Sequence, residues 1–123
     1  MKAIKESLNK NRRSYRFALK GIREASKGNN FRYQLLAAVL VTLAGFLTDL
    51  KPWEWIVVVI MIGLVLSAEA INTAIETLVD LVSPEQNPVA GKIKDLAAGA
   101  VLILAITSVV VALILFIPKL YHL

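Results

Sequence analysis

The chain has 123 residues, 57% of them hydrophobic and 19% charged, and no cysteine. Soluble domains average about 45–50% apolar and about 25% charged residues, so this composition belongs to the membrane class, and the length allows one domain. The missing cysteines exclude a disulfide-stapled module, a thiolate zinc site and thiol chemistry.

Residues 1–32 carry ten Lys/Arg against Glu6 and Glu24, a net charge of +8, and the remainder sums to −3. Within residues 1–29, Ile4, Leu8, Tyr15, Leu19 and Ile22 fall within about 60° at about 100° per residue, with lysines and arginines on the other faces. That pattern predicts an amphipathic helix lying in a membrane interface. Its basic residues adjoin apolar spans and show no nucleic-acid reading motif, so no nucleic-acid partner is expected. The segment also lacks the uninterrupted apolar stretch of a cleavable signal peptide.

Three transmembrane helices are predicted next, at 31–49, 53–82 and 90–118, making residues 1–123 a single all-α membrane domain. Leu96 to Pro118 holds 23 residues without an ionisable group and spans a bilayer unaided. Tyr33 to Thr48 is shorter and spans if Arg32 snorkels to the headgroups. Trp55 to Ala68 is too short alone, and suffices only if its helix continues through Glu69 and Glu76 to about Val82. Pro52, Pro84 and Pro88 punctuate the connections. The bias of Lys and Arg places the N-terminus and the 83–95 loop in the cytoplasm and the C-terminus outside.

The informative segment is the second span. Glu69, Asn72, Thr73, Glu76 and Asp80 share about 100° of helical arc, and the residues between them are apolar or small. With Asp80 at the headgroups, Glu76 lies about 6 Å and Glu69 about 16 Å deeper along the helix. A charge at bilayer centre costs at least about 2.5–3.5 kcal/mol, so an intramembrane carboxylate points to function. The bland reading, carboxyl and amide groups gluing helices together, accounts poorly for two Glu, an Asn and an Asp on one face opposite Lys94. Carboxylates, an amide and a lysine are the parts of phosphoryl transfer: a base for the acceptor hydroxyl, oxygen ligands for Mg²⁺, and a cation for the phosphates. Neither a P-loop nor a protein-kinase signature occurs. On composition and spacing alone, an enzyme and a proton or ion pathway both remain open.

The string Glu69-Ala-Ile-Asn72-Thr-Ala-Ile-Glu76-Thr-Leu-Val-Asp80, followed by Gly91-Lys-Ile-Lys94-Asp95-Leu-Ala-Ala-Gly-Ala-Val, resembles the prokaryotic diacylglycerol kinase and undecaprenol kinase family. The resemblance runs from about Ser14 through Asn30-Phe31-Arg32 to the end of the third span. It implies a lipid kinase of the bacterial cytoplasmic membrane that uses MgATP. It also implies a homotrimer of three-span protomers, each with an amphipathic surface helix, and active sites shared between neighbours. Carried over by motif, Glu69 is the general base, Asn72 supports it and Glu76 holds the metal. Lys94 meets the ATP phosphates, and Asp80, Asp95 and Glu85-Gln86-Asn87 lie near the nucleotide. Lys10 and Phe17 align with further nucleotide contacts.

Two departures stand out. Lys27-Gly28-Asn29-Asn30 has no carboxylate where the family carries a second acidic metal ligand. Gln34 and Asn87 occupy positions where many relatives have histidine. The motifs do not choose between undecaprenol and diacylglycerol; the Asn-Thr-Ala and Ala-Ala-Gly-Ala-Val strings lean toward undecaprenol. The competing reading is a non-enzymatic membrane oligomer, a holin-like pore or accessory subunit. It explains three spans and a basic head but not the polar stripe. A proton relay through Glu69 and Glu76 is disfavoured, because nothing polar continues toward the outer face.

Overall fold

The computed structural model describes residues 1–122. Four helices follow in chain order: α1 Lys2–Ala25, α2 Asn29–Leu47, α3 Pro52–Val82 and α4 Pro88–Leu120. Among the described residues there is no strand. The last three helices are long and apolar enough to cross a membrane.

Each boundary has a local cause. Gly28, extended at φ −77° and ψ 142°, precedes the first residue of α2. The turn after α2 is closed by Asp49 at φ 52°, a left-handed conformation that Asp tolerates better than most residues. Pro52 and Pro88 both occupy the first helical position, where the missing N–H costs no hydrogen bond. The Glu54 carboxylate accepts the Lys51 N–H at 3.0 Å and the Asn87 amide oxygen accepts the Val89 N–H at 2.8 Å, satisfying donors that a helix start leaves open. Helix α4 begins two residues before the expected 90 and passes Pro118 to reach Leu120. A proline so near the end removes only one hydrogen bond, and Lys119 beyond it is tied down by an ion pair.

Packing is dominated by α3 against α4, with α2 on α3 next and a smaller contact of α1 with α3. The buried core is small: Leu50, Val58 and Leu115, with Trp55, Val57 and Phe116 among the residues packed on it. It lies toward the end of the bundle where α2 meets α3 through the Thr48–Lys51 turn. There Phe46 and Trp55 pack with ring centroids 4.8 Å apart at 50°, a tilted aromatic pair. Gly45 permits this approach, since a Cβ on it would sit 2.6 Å from Trp55 Cη2. Lys119 Nζ, from the end of α4, donates to Glu54 Oε1 at 3.0 Å and clasps the same end.

Most large apolar side chains of α2, α3 and α4 remain exposed on the protomer, Leu102, Ile103 and Ile106 among them. Hydrocarbon is as good a surrounding for them as a protein core, so a membrane bundle needs little buried area. Hydroxyls in these helices turn back on their own backbone: Thr42 donates to the Ala38 carbonyl, Thr73 to Glu69 and Thr107 to Ile103. This keeps polar hydrogens satisfied without water. The apolar face of α1, with Ile4, Leu8, Tyr15, Leu19 and Ile22, is exposed throughout.

Candidate active site

The polar stripe of α3 is present as one continuous helical face, and its burial is graded. Asp80 and Glu76 are exposed, while Asn72 and Glu69 are each only 6% exposed. The gradient follows from position: Asp80 and Glu76 occupy the last turns of α3, and Asn72 and Glu69 lie deeper, beside α2. Glu69 is therefore a carboxyl group shielded from water, while Glu76, seven residues or about 10.5 Å along the axis, faces it.

Asn72 sits between the two acids. Its Nδ2 donates to Glu76 Oε1 at 3.2 Å, and its side chain also neighbours the Glu69 carboxyl. The motif assigns Asn72 to Glu69 alone; the geometry shows it linking both, because three residues back and four residues on are the two neighbours of a helical position. The amide of Gln34, from the second turn of α2, also faces Glu69. Two buried amide oxygens, Gln34 Oε1 and Asn72 Oδ1, have no hydrogen-bond partner.

Across the Ser83–Asn87 loop, Lys94 Nζ on α4 donates to Asp80 Oδ1 at 2.5 Å. The Lys94 and Asp80 side chains remain 38% and 64% exposed, so this is a wet ion pair that sets the direction of Lys94 more than it stabilises the fold. Lys94 thus stands at the same end of the bundle as Glu76, with Asp95 exposed beside it. Glu85, Gln86 and Asn87 are exposed in the loop, and the Asn87 oxygen is engaged in capping α4. Lys10 and Phe17 lie exposed on α1, where the Lys20 ammonium stands 5.7 Å from the Phe17 ring centre; neither is drawn into the stripe within this protomer.

Among the described residues no three acidic or histidine side chains converge on a metal position. The donors nevertheless suit a hard cation. Glu76 keeps one carboxylate oxygen outside its bond to Asn72, and Mg²⁺ binds through one or two carboxylates, several waters and substrate phosphates.

A groove of about 340 Å³ runs between α2, α3 and α4. Its walls are apolar side chains such as Ala38, Val41, Val65, Leu66 and Leu115, and Tyr33 and Gln34 stand at one end. Gln34 belongs both to this groove and to the surroundings of Glu69. The sequence marks it only as an amide where histidine is common, although its place as the lone amide in an otherwise apolar span was a usable signal.

The arrangement matches known proteins over nearly its whole length. The family model described as prokaryotic diacylglycerol kinase matches residues 16–116. The undecaprenol kinase of Bacillus subtilis is 39% identical over 94% of this chain and 95% of its own. The diacylglycerol kinase of Haemophilus influenzae is 35% identical over 84% of this chain and 89% of its own, and that of Escherichia coli K12 is 30% identical over 76% and 78%. The matched region contains the graded stripe, the Lys94–Asp80 pair and all three long apolar helices. The chain belongs to the prokaryotic diacylglycerol kinase family and is an integral-membrane lipid kinase.

Proposed function

We propose that this kinase transfers the γ-phosphate of MgATP to the hydroxyl of a membrane lipid alcohol, with undecaprenol as the acceptor and diacylglycerol as the alternative. The product is a lipid phosphate for cell-wall lipid-carrier or phospholipid metabolism. The observation that carries this reading is the burial gradient on α3, which joins a dry carboxyl at Glu69 to wet groups at Glu76, Asp80 and Lys94. ATP stays in water and a lipid hydroxyl stays near the interface, so one helix crossing that boundary brings them together. Undecaprenol is favoured by the coverage of the Bacillus subtilis undecaprenol kinase, which leaves almost none of either chain unmatched.

Glu69 accepts the acceptor's hydroxyl proton. The freed oxygen attacks the γ-phosphorus, the new O–P bond forms as the bond to the β,γ-bridging oxygen breaks, and ADP departs. Asn72 keeps Glu76 oriented, and Lys94, aimed by Asp80, offsets negative charge on the phosphates. Glu76 would hold Mg²⁺, which when bound would offset negative charge on the nucleotide phosphates. Asp95 and the Glu85-Gln86-Asn87 loop border the nucleotide, and Lys10 and Phe17, which stand away from the stripe within one protomer, meet it from the α1 of a neighbour. A water-excluding site needs more wall than one protomer gives to exposed Glu76, which supports a homotrimer with sites shared between neighbours. The bacterial cytoplasmic membrane, with the N-terminus and the Ser83–Asn87 loop inside, puts the site on the ATP side.

The test is phosphorylation of undecaprenol or diacylglycerol from labelled ATP by the purified protein in lipid or detergent. The expected result is Mg²⁺-dependent lipid phosphate, reduced about 10²–10⁴-fold in Glu69→Gln, the usual contribution of a general base, with assembly preserved. Normal turnover by that variant removes Glu69 from the base role.

A further inference from the structure

Helix α1 is a long lever held at one end. Residues 1–24 are all exposed, and burial begins at Ala25, the last residue of the helix. Its 24 residues extend about 36 Å, yet it makes only a small contact with α3. Its direction is set by the bend at residues 26–28. Most bonds there stay within α1 and the bend: Ser26 Oγ donates to the Arg23 carbonyl at 2.6 Å, Lys27 Nζ pairs with Glu24 at 2.7 Å, and the Gly28 N–H donates to the Ala25 carbonyl at 3.1 Å. One side chain of α2 reaches back across the bend. Arg32 Nε donates to the carbonyl of Ser26, the C-cap of α1, at 2.9 Å. Among the described residues this is the one side-chain hydrogen bond that joins α2 to the end of α1. A helix C-terminus leaves carbonyls without partners and carries partial negative charge, so a guanidinium suits it on both counts. Arg32 also points away from the groove: it lies about 170° round α2 from the middle of the arc formed by Tyr33, Gln34, Ala37, Ala38 and Val41.

We infer that Arg32 is a positioning residue for the nucleotide, an inference that rests on the MgATP reaction proposed above. By holding the Ser26 carbonyl it fixes the angle between α1 and α2, and that angle places Lys10 and Phe17 at the neighbouring site. The lever makes this one bond count. Phe17 lies about 13.5 Å and Lys10 about 24 Å along α1 from Ser26. A swing of about 10° carries them about 2 Å and about 4 Å, and a misplacement of about 1 Å already costs a bound group its alignment. Arg32 acts on ATP only through α1. The acceptor is left alone, because Glu69 lies on α3 and the groove on the opposite face of α2. Snorkelling to anionic headgroups, the other use of an arginine at this depth, needs the charge and not the bond to Ser26.

The experiment measures steady-state kinetics of the wild type, Arg32→Met and Arg32→Gln in mixed micelles containing phosphatidylglycerol, with undecaprenol and diacylglycerol as acceptors. Glutamine puts an uncharged N–H donor at the place of Arg32 Nε, and methionine puts a methyl group there. Arg32→Met is expected to raise KM for ATP about tenfold, as loss of a hydrogen bond does, with acceptor KM unchanged. Arg32→Gln is expected within about threefold of the wild type in both constants. Equal impairment of the two variants assigns Arg32 to headgroup charge and overturns the inference, as does an unchanged ATP KM or a raised acceptor KM in Arg32→Met. The swing itself is read by pulsed EPR between nitroxides at Asn11→Cys and Leu81→Cys, in oligomers diluted with unlabelled chain; no native cysteine competes for the label. The distance distribution is expected to broaden in Arg32→Met and not in Arg32→Gln, and an unchanged distribution in Arg32→Met overturns the inference. If Arg32→Met fails to assemble, Arg32→Asn, whose donor stops one atom short, is expected to show the same ATP-specific rise, and a normal ATP KM there overturns it equally. A wild type inactive on both alcohols overturns the proposed reaction and this inference with it. An active wild type beside an unaffected Arg32→Met overturns only the role of Arg32.

Discussion

The contact at Gly45 allows stability to be separated from catalysis. A Cβ built there lies 2.6 Å from Trp55 Cη2, 2.8 Å from Leu50 Cδ1 and 3.1 Å from Trp55 Cζ2. Ordinary contact needs more than 3.4 Å, so Gly45→Ala must displace both an indole ring and a core leucine by several tenths of an ångström. Overpacking of this kind costs about 1–3 kcal/mol, and the helix preference for Ala over Gly returns about 0.5–1 kcal/mol. The net is a loss centred on about 1 kcal/mol and reaching about 2.5 kcal/mol, typically a five- to tenfold fall in the folded ratio. Gln34 is eleven residues, about 16 Å, away along α2, so a repacking confined to the Trp55 end leaves the site alone. Thermal inactivation in micelles should therefore occur at lower temperature for Gly45→Ala, with kcat within twofold of the wild type below the transition. Trp55→Phe lacks both offending indole atoms, so the double variant should recover part of the loss, a coupling that a double-mutant cycle reads directly. An alanine variant more resistant than the wild type, or one with altered kcat while folded, refutes this account of the α2–α3 contact.

Three further outcomes follow from other contacts. A Cβ at Gly28 meets only the Ala25 carbonyl oxygen at an ordinary 3.5 Å, and its φ of −77° suits any residue, so Gly28→Glu should fold normally. It should lower the Mg²⁺ concentration at half-maximal activity, and an unchanged titration counts against a missing second acidic ligand. Lys94→Met should reduce kcat at least a hundredfold, whereas Asp80→Asn, which removes only an exposed partner worth about 0–1 kcal/mol, should change kcat/KM for ATP less than about fivefold; equal losses would make the ion pair, not the lysine, the functional unit. Lys119→Met strands the Glu54 carboxylate, which is 5% exposed, so it should melt below Glu54→Gln/Lys119→Met; the opposite order removes the clasp as an explanation of the closed end.

The three long helices were legible because apolar runs and two N1 prolines mark a membrane segment without reference to any partner. The length of α3 was legible for a different reason: carrying it through Glu69 and Glu76 puts Glu69, Asn72, Thr73, Glu76 and Asp80 on one face, and ending it earlier separates them. What the sequence does not reveal is pairing between distant positions. Lys119 and Glu54 are 65 residues apart, and Lys119 reads as a tail residue flanking the membrane until the folded chain brings it to the start of α3. Pro118 reads as a stop for the same reason, since the anchor that keeps the last turn helical lies on another helix. At the site, the motif names Glu69, Asn72 and Glu76 but not that Asn72 links both acids, nor that Gln34 closes the far side of Glu69. Those are facts about how α2 lies on α3.

The seven-residue spacing of Glu69 and Glu76 has a physical reason. At about 100° per residue seven positions return to within about 20° of the starting face, while eight would separate the carboxyls by about 80°. Only the former lets one unbroken helix present both acids on one face, as the proposed roles of Glu69 as base and Glu76 as metal holder require. It also spreads the two acids about 10.5 Å across a steep change in polarity, so that one is dry and the other wet without any bend. Asn72, between them, converts that separation into a fixed relation, because an amide held to Glu76 while it touches the surroundings of Glu69 resists rotation of either acid. Under the proposed reaction the basic N-terminal segment and the acidic remainder divide the work: the basic segment is the surface that would meet phosphates, and the carboxylates of α3 lead from the wet end of the helix to the buried Glu69.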